Sequence, residues 1–263
     1  MVRTASSAID PDRFTQIATL AAGAHREGGG AMCAMEAVAY IAREPPSDQP
    51  ECASPSIAAF IRTWSDGLPQ AERDGLILPL LPRLVGTHGS DVLERRRVVT
   101  VADWLVRTHL PAWFHLAKLN VEADELADLP ELQAIADLAT LCDHLKRARK
   151  RAAVANLTLR QTGSVVRAAA WDAAQQAAWV TIRDALEAAG PPILAAGWDA
   201  AYASAYAAAR AYGKAPLEPT RRALQHSALA LVERLIEARD PASDGSERSA
   251  VPAPAHHSAE LRP

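Results

Sequence analysis

Four side chains near the N-terminus have the types and spacing best suited to chemistry: His25, Cys33, Glu36 and Cys52. His25 opens a glycine-rich loop that runs to Gly30. Cys33 and Glu36 stand three apart, which puts them on one face of a helix, and Tyr40 continues that stripe. Cys52 lies in the following loop, behind Asp48 and Glu51. Two loops flanking one helix can converge on it, and a His, Cys, Glu, Cys set suits zinc, which takes N, S and O ligands tetrahedrally. The spacing contains neither a paired C-x-x-C nor an H-E-x-x-H. The bland alternative is that the cysteines are small buried hydrophobes. A metal-free version pairs Glu36 with Asp48 or Glu51 for acid–base work, although the spacing does not favour either pair. Gly28-Gly29-Gly30 ahead of a helix can offer amides to an anion, but no lysine accompanies it as in a P-loop.

The strongest charge feature is the run Lys146-Arg147-Ala148-Arg149-Lys150-Arg151. It offers a possible anion contact through Lys146, Arg147, Arg149, Lys150 and Arg151. Spread over more than a turn and a half, these cations are expected to ring the helix, as at an exposed helix end or linker. The triplet Arg95-Arg96-Arg97 is expected to be a solvated helix face. His109 and His115 flank Pro111 and are placed to approach each other across a break there.

The elements that must position these groups are helices. Asp10-Pro11 reads as an N-cap and first helical residue, opening a helix to about residue 22. A second helix is expected over about 31–43, ending before Pro45-Pro46. A third over about 56–66 carries Ile57, Phe60, Ile61 and Trp64 at helical spacing. Pro79 and Pro82 divide short helical pieces, a long helix runs from Asp91 to about His109, and Pro111 starts another. The last helix is expected over about 219–240, with Leu224, Leu229, Leu231, Leu235 and Ile236 as its apolar set.

Alanine supplies about a fifth of the chain, concentrated in the second half, and it is the best helix former. The motif Trp171-Asp172-Ala173-Ala174 recurs as Trp198-Asp199-Ala200-Ala201, with Gly190-Pro191-Pro192 between the copies. That pattern predicts a helical hairpin with small residues along its seam. The expected organisation is all-α: an N-terminal helical domain at 10–121, an alanine-rich helical region at 122–240, and a disordered polar tail at 241–263.

A formal charge of −3 and a pI of about 6.2 provide no global basic field, which disfavours nucleic acid as a partner. The three cysteines are too few and scattered for a disulfide framework, and the first residues contain no apolar signal core. No stretch reads as a membrane span. A soluble, cytoplasmic protein is expected.

Several segments resemble a family of uncharacterised proteins from high-GC bacteria and their phages. Near the candidate site these are Ala22-Gly23-Ala24-His25, Met32-Cys33-Ala34-Met35-Glu36-Ala37-Val38-Ala39 and Ser47-Asp48-Gln49-Pro50-Glu51-Cys52. Downstream lie Trp64-Ser65-Asp66-Gly67-Leu68-Pro69, Pro82-Arg83-Leu84-Val85-Gly86-Thr87 and Ala102-Asp103-Trp104-Leu105-Val106-Arg107-Thr108. The resemblance implies no activity. Its pattern often has histidine where this chain has Gln49, so a metal that needed that ligand would lack it here. The leading expectation is an interaction protein without a cofactor, self-associating or bound to a protein partner. The alternative is a small zinc-dependent enzyme or sensor built on His25, Cys33, Glu36 and Cys52.

Overall fold

The computed structural model describes residues 9–23, 31–116, 118–137, 140–141, 143–148, 150–151, 154 and 217–240. Among these the regular elements are all helical. The tryptophan-bearing repeat and the tail at 241–263 lie outside them.

Asp10 caps α1 (Pro11–Thr15), accepting from the Asp12 and Arg13 amides. The helix stops seven residues short of the expected end at 22, because tertiary bonds claim the following backbone. The Leu20 amide donates to Asp74 at 2.8 Å, that of Ala21 to the Met32 carbonyl, and that of Gly23 to Asp66 at 2.7 Å. α2 (Ala34–Ile41) starts three residues later than expected, at the cap supplied by Cys33. α3 (Pro55–Asp66) has Ser54 as N-cap and Pro55 at its first position. It buries Ile57, Phe60, Ile61 and Trp64, as the spacing predicts.

α4 (Gln70–Ile77), a 3₁₀ turn (Leu78–Leu80) and α5 (Leu81–Leu84) divide around Pro79 and Pro82. After Gly86, which adopts φ +79°, Ser90 caps α6 (Asp91–Trp104). Where the sequence predicts a break at Pro111, the chain stays helical. A π-turn (Leu105–His109) leads directly into α7 (Leu110–Leu116). Proline has no N–H to donate and its ring collides with the carbonyl four residues back. Widening the preceding turn accommodates both defects. α8 (Asn120–Ala127) and a 3₁₀ turn (Ile135–Asp137) follow, then helical residues described between 140 and 154, here α9. α10 (Glu218–Glu237) closes the described chain.

α10 packs across α3, α6 and α7. Its Leu224, Ala228, Leu231, Val232 and Leu235 share one core with Phe60, Trp64, Trp104 and Trp113. α8 packs on α7 and the π-turn, and Leu141 and Leu145 of α9 join the same core. Among the described residues, apolar side chains on both sides of residue 121 are buried in one cluster. No described helix is long and apolar enough to cross a membrane.

Candidate functional site

The structure uses Cys33 and Glu36 to start α2. The Cys33 amide donates to Glu36 Oε2 at 2.7 Å, and the Glu36 amide donates to Cys33 Sγ at 3.5 Å. This is a reciprocal capping box with sulfur in the place usually held by a hydroxyl. Burial pushes the Cys33 thiol up to about 11. Cys52 is buried too, and burial, reinforced by the negative charge of Glu44, pushes its thiol up to about 12. Both thiols are thus raised above the ordinary cysteine value, which lowers their reactivity as free nucleophiles. His25 and the glycines at 28–30 lie outside the described residues. Among the described residues, no three His, Cys, Asp or Glu side chains gather in a group that could hold a metal.

At Asp48 and Glu51 the bonds are made by the backbone. The Arg62 guanidinium donates to the Asp48 carbonyl at 2.7 Å, and the Glu51 amide donates to Glu44 at 2.8 Å. The Tyr40 hydroxyl donates to Gln16, while Arg13 lies 4.8 Å from the Tyr40 ring centre.

The basic run lies on α9, whose Leu141, Leu145 and Ala148 face the core. The described cations Lys146, Arg147, Lys150 and Arg151 are exposed, so they share the outer side of the helix instead of ringing it. Arg149 lies outside the described residues. Asp143 stands 3.6 Å from Lys146, Glu122 of α8 stands 3.6 Å from Arg151, and Arg147 meets His144 at 2.9 Å. Nearby, Leu129, Leu132, Leu141, Glu131, Asp137 and His144 line an open cleft of about 370 Å³.

The arginine triplet departs from the solvated reading at one position. Arg95 and Arg96 are exposed, but Arg97 is 2% exposed. Its guanidinium donates to Glu94 Oε1 at 2.6 Å, to the Thr87 carbonyl at 2.7 Å and to the Leu235 carbonyl of α10 at 3.0 Å. The Ser54 hydroxyl and the Ser56 amide donate to the other Glu94 oxygen, at 2.7 and 3.2 Å. One buried ion pair thereby ties the start of α3, the 85–90 loop, α6 and the end of α10. The available signal was spacing: Arg97 falls four after Leu93 and four before Val101, on the buried face of α6.

A second buried polar group is one of the two histidines flanking Pro111. His109 ends the π-turn at 1% exposure, its ring centre 5.2 Å from that of Trp104 and 6.3 Å from that of Trp113. Trp104 meets Phe60 of α3 edge-on at 6.0 Å and donates its indole N–H to Ser227 of α10 at 2.7 Å. Burial alone pushes the imidazole down to about 3. His115 does not join it. That ring is exposed, facing Asn120 at 3.3 Å and Asp124 at 3.3 Å. His88 and His226 are exposed as well.

Compared with known proteins, the chain matches no family model, no curated protein and no solved structure.

Proposed function

We propose that this chain is a helical interaction protein that self-associates through the alanine-rich stretch 155–216, with the described body as its scaffold. The observation that carries this reading is where the body takes hold of the chain on either side of that stretch. On one side Leu145 is fully buried and Ala148 is 4% exposed. On the other, Leu217 is fully buried and Arg221 is 2% exposed. The Arg221 guanidinium donates to Glu72 at 2.6 Å and to Glu218 at 2.7 Å, which ties the start of α10 to α4. The composition of the stretch supports the reading: Trp171, Trp179, Trp198, Tyr202, Tyr206 and Tyr212 alternate with alanines that permit close helix approach. Tryptophan and tyrosine are enriched among the residues that dominate binding energy.

The test is sedimentation equilibrium of the full chain from about 1 to 100 μM, a range chosen to bracket micromolar dissociation constants. Self-association that rises with concentration, and falls in the Trp171→Ala/Trp198→Ala double variant while the melting temperature holds, supports the reading. A wild-type chain that stays monomeric throughout overturns it.

A further inference from the structure

We propose that the π-turn at His109 is an acid-sensitive latch: proton uptake by its buried imidazole expels the ring from between Trp104 and Trp113 and loosens α10 from the body. The geometry of one hydrogen bond leads to this. Trp113 Nε1, which can only donate, lies 3.3 Å from His109 Nε2. The neutral ring therefore accepts at Nε2 and carries its hydrogen on Nδ1, an atom that is buried without a partner. A second proton must go to Nε2. There it meets the Trp113 N–H, so that hydrogen bond becomes a donor facing a donor, and a cation is left buried among aromatic rings. Burial of an unpaired charge is strongly unfavourable, so expulsion of the ring is the available relief.

Among the described residues, no charged group is bonded to the imidazole. Asp103 and Arg107 on the same helix pair with each other at 3.1 Å. His115 of α7 faces Asp124 of α8, and Glu122 of α8 faces Arg151. Glu125 and Asp128 on and beside α8 are not bonded to the ring, and the charges of α9 lie on its outer side. α3 and α10 meet this cluster through uncharged side chains, Phe60 and Ser227.

The consequence reaches α10 because Trp104 is shared. It packs tilted against His109 and also donates to Ser227. The sign follows from linkage: the native state binds this proton more weakly than the unfolded state, so stability is lost as pH falls below the ordinary histidine value of 6.5. The unfolding equilibrium should rise about tenfold per pH unit, or about thirtyfold by pH 5.

The test uses the full chain and compares wild type with His109→Gln, which keeps an acceptor for Trp113 but cannot take the proton. Urea unfolding followed by tryptophan fluorescence should show a wild-type loss between pH 7 and 5 that the variant lacks. Carboxylates elsewhere titrate equally in both. Amide exchange of residues 224–235, corrected for intrinsic rate, should accelerate at pH 5 in wild type only. An equal pH slope in the two proteins overturns the proposal, as does unchanged protection of α10. If the variant does not fold, the His109 imidazole NMR resonance decides: ordinary titration near 6.5 overturns the latch, and a resonance unmoved down to pH 5 supports it.

Discussion

Replacing Glu94 by alanine strands the Arg97 guanidinium inside the protein. The wild-type pair is closed on every side, with Arg97 at 2% and Glu94 at 9% side-chain exposure. Without the carboxylate, Arg97 keeps only the Thr87 and Leu235 carbonyls, which carry no countercharge. The Ser54 hydroxyl and Ser56 amide lose their acceptor in the same step. Breaking a buried pair by deleting one partner costs about 3–5 kcal/mol. That is a large share of the roughly 5–15 kcal/mol by which domains are stable. With a urea slope of about 2 kcal/mol/M, the midpoint should fall by roughly 2 M. Arg97→Met should cost a similar amount by leaving Glu94 buried and uncompensated. The double variant Glu94→Ala/Arg97→Met removes both charges together, so its loss should be smaller than the sum of the two single losses. Urea titrations followed by circular dichroism provide the cycle. A Glu94→Ala loss below about 1 kcal/mol, or single losses that add to within roughly 0.5 kcal/mol, would refute the reasoning.

Other expectations follow from the same contacts. Gln225→Ala removes the side-chain acceptor of the buried Trp64 indole N–H and should cost about 1–3 kcal/mol in chemical denaturation. Glu36→Ala opens the capping box of α2 at a cost of about 0.5–2 kcal/mol, while Cys33→Ser, which substitutes a better cap, should leave the melting temperature equal or higher. Cys33 and Cys52 should resist alkylation at pH 7.5 and react when urea is added, with native stability falling as pH rises above about 9, the value from which both thiols are raised. The Glu218 carboxyl is held down to about 2, first by its hydrogen bonds from Arg221 and Arg222, so its contribution persists above 4.5 and fades as pH falls toward 2. Arg221→Met should flatten that acid dependence.

How much could be read in advance differs by element. α3 was legible because Ile57, Phe60, Ile61 and Trp64 recur at helical spacing, and its cap at Ser54-Pro55 lies just ahead of the expected start. α1 was overestimated because local periodicity cannot register that Asp66, Asp74 and Met32 bond the backbone after Gln16. The grouping of Cys33 with Glu36 on one helix was legible in their spacing, but their use was not. Side chains three apart at a helix start can face a ligand or bond each other's backbone, and here they bond each other.

Composition and periodicity were enough to establish the helical class, the cap at Asp10 and the division at Pro79 and Pro82, because these depend on backbone sterics and local hydrogen bonds. Only tertiary packing decided that Arg97 is buried while Arg95 and Arg96 are not, that α10 shares the core of α3 and α6, and that Pro111 follows a π-turn. It also decided that His109 lies between two tryptophans while His115 faces solvent. Those outcomes turn on which distant faces meet, and burial acts on a charge or an imidazole only after they have met.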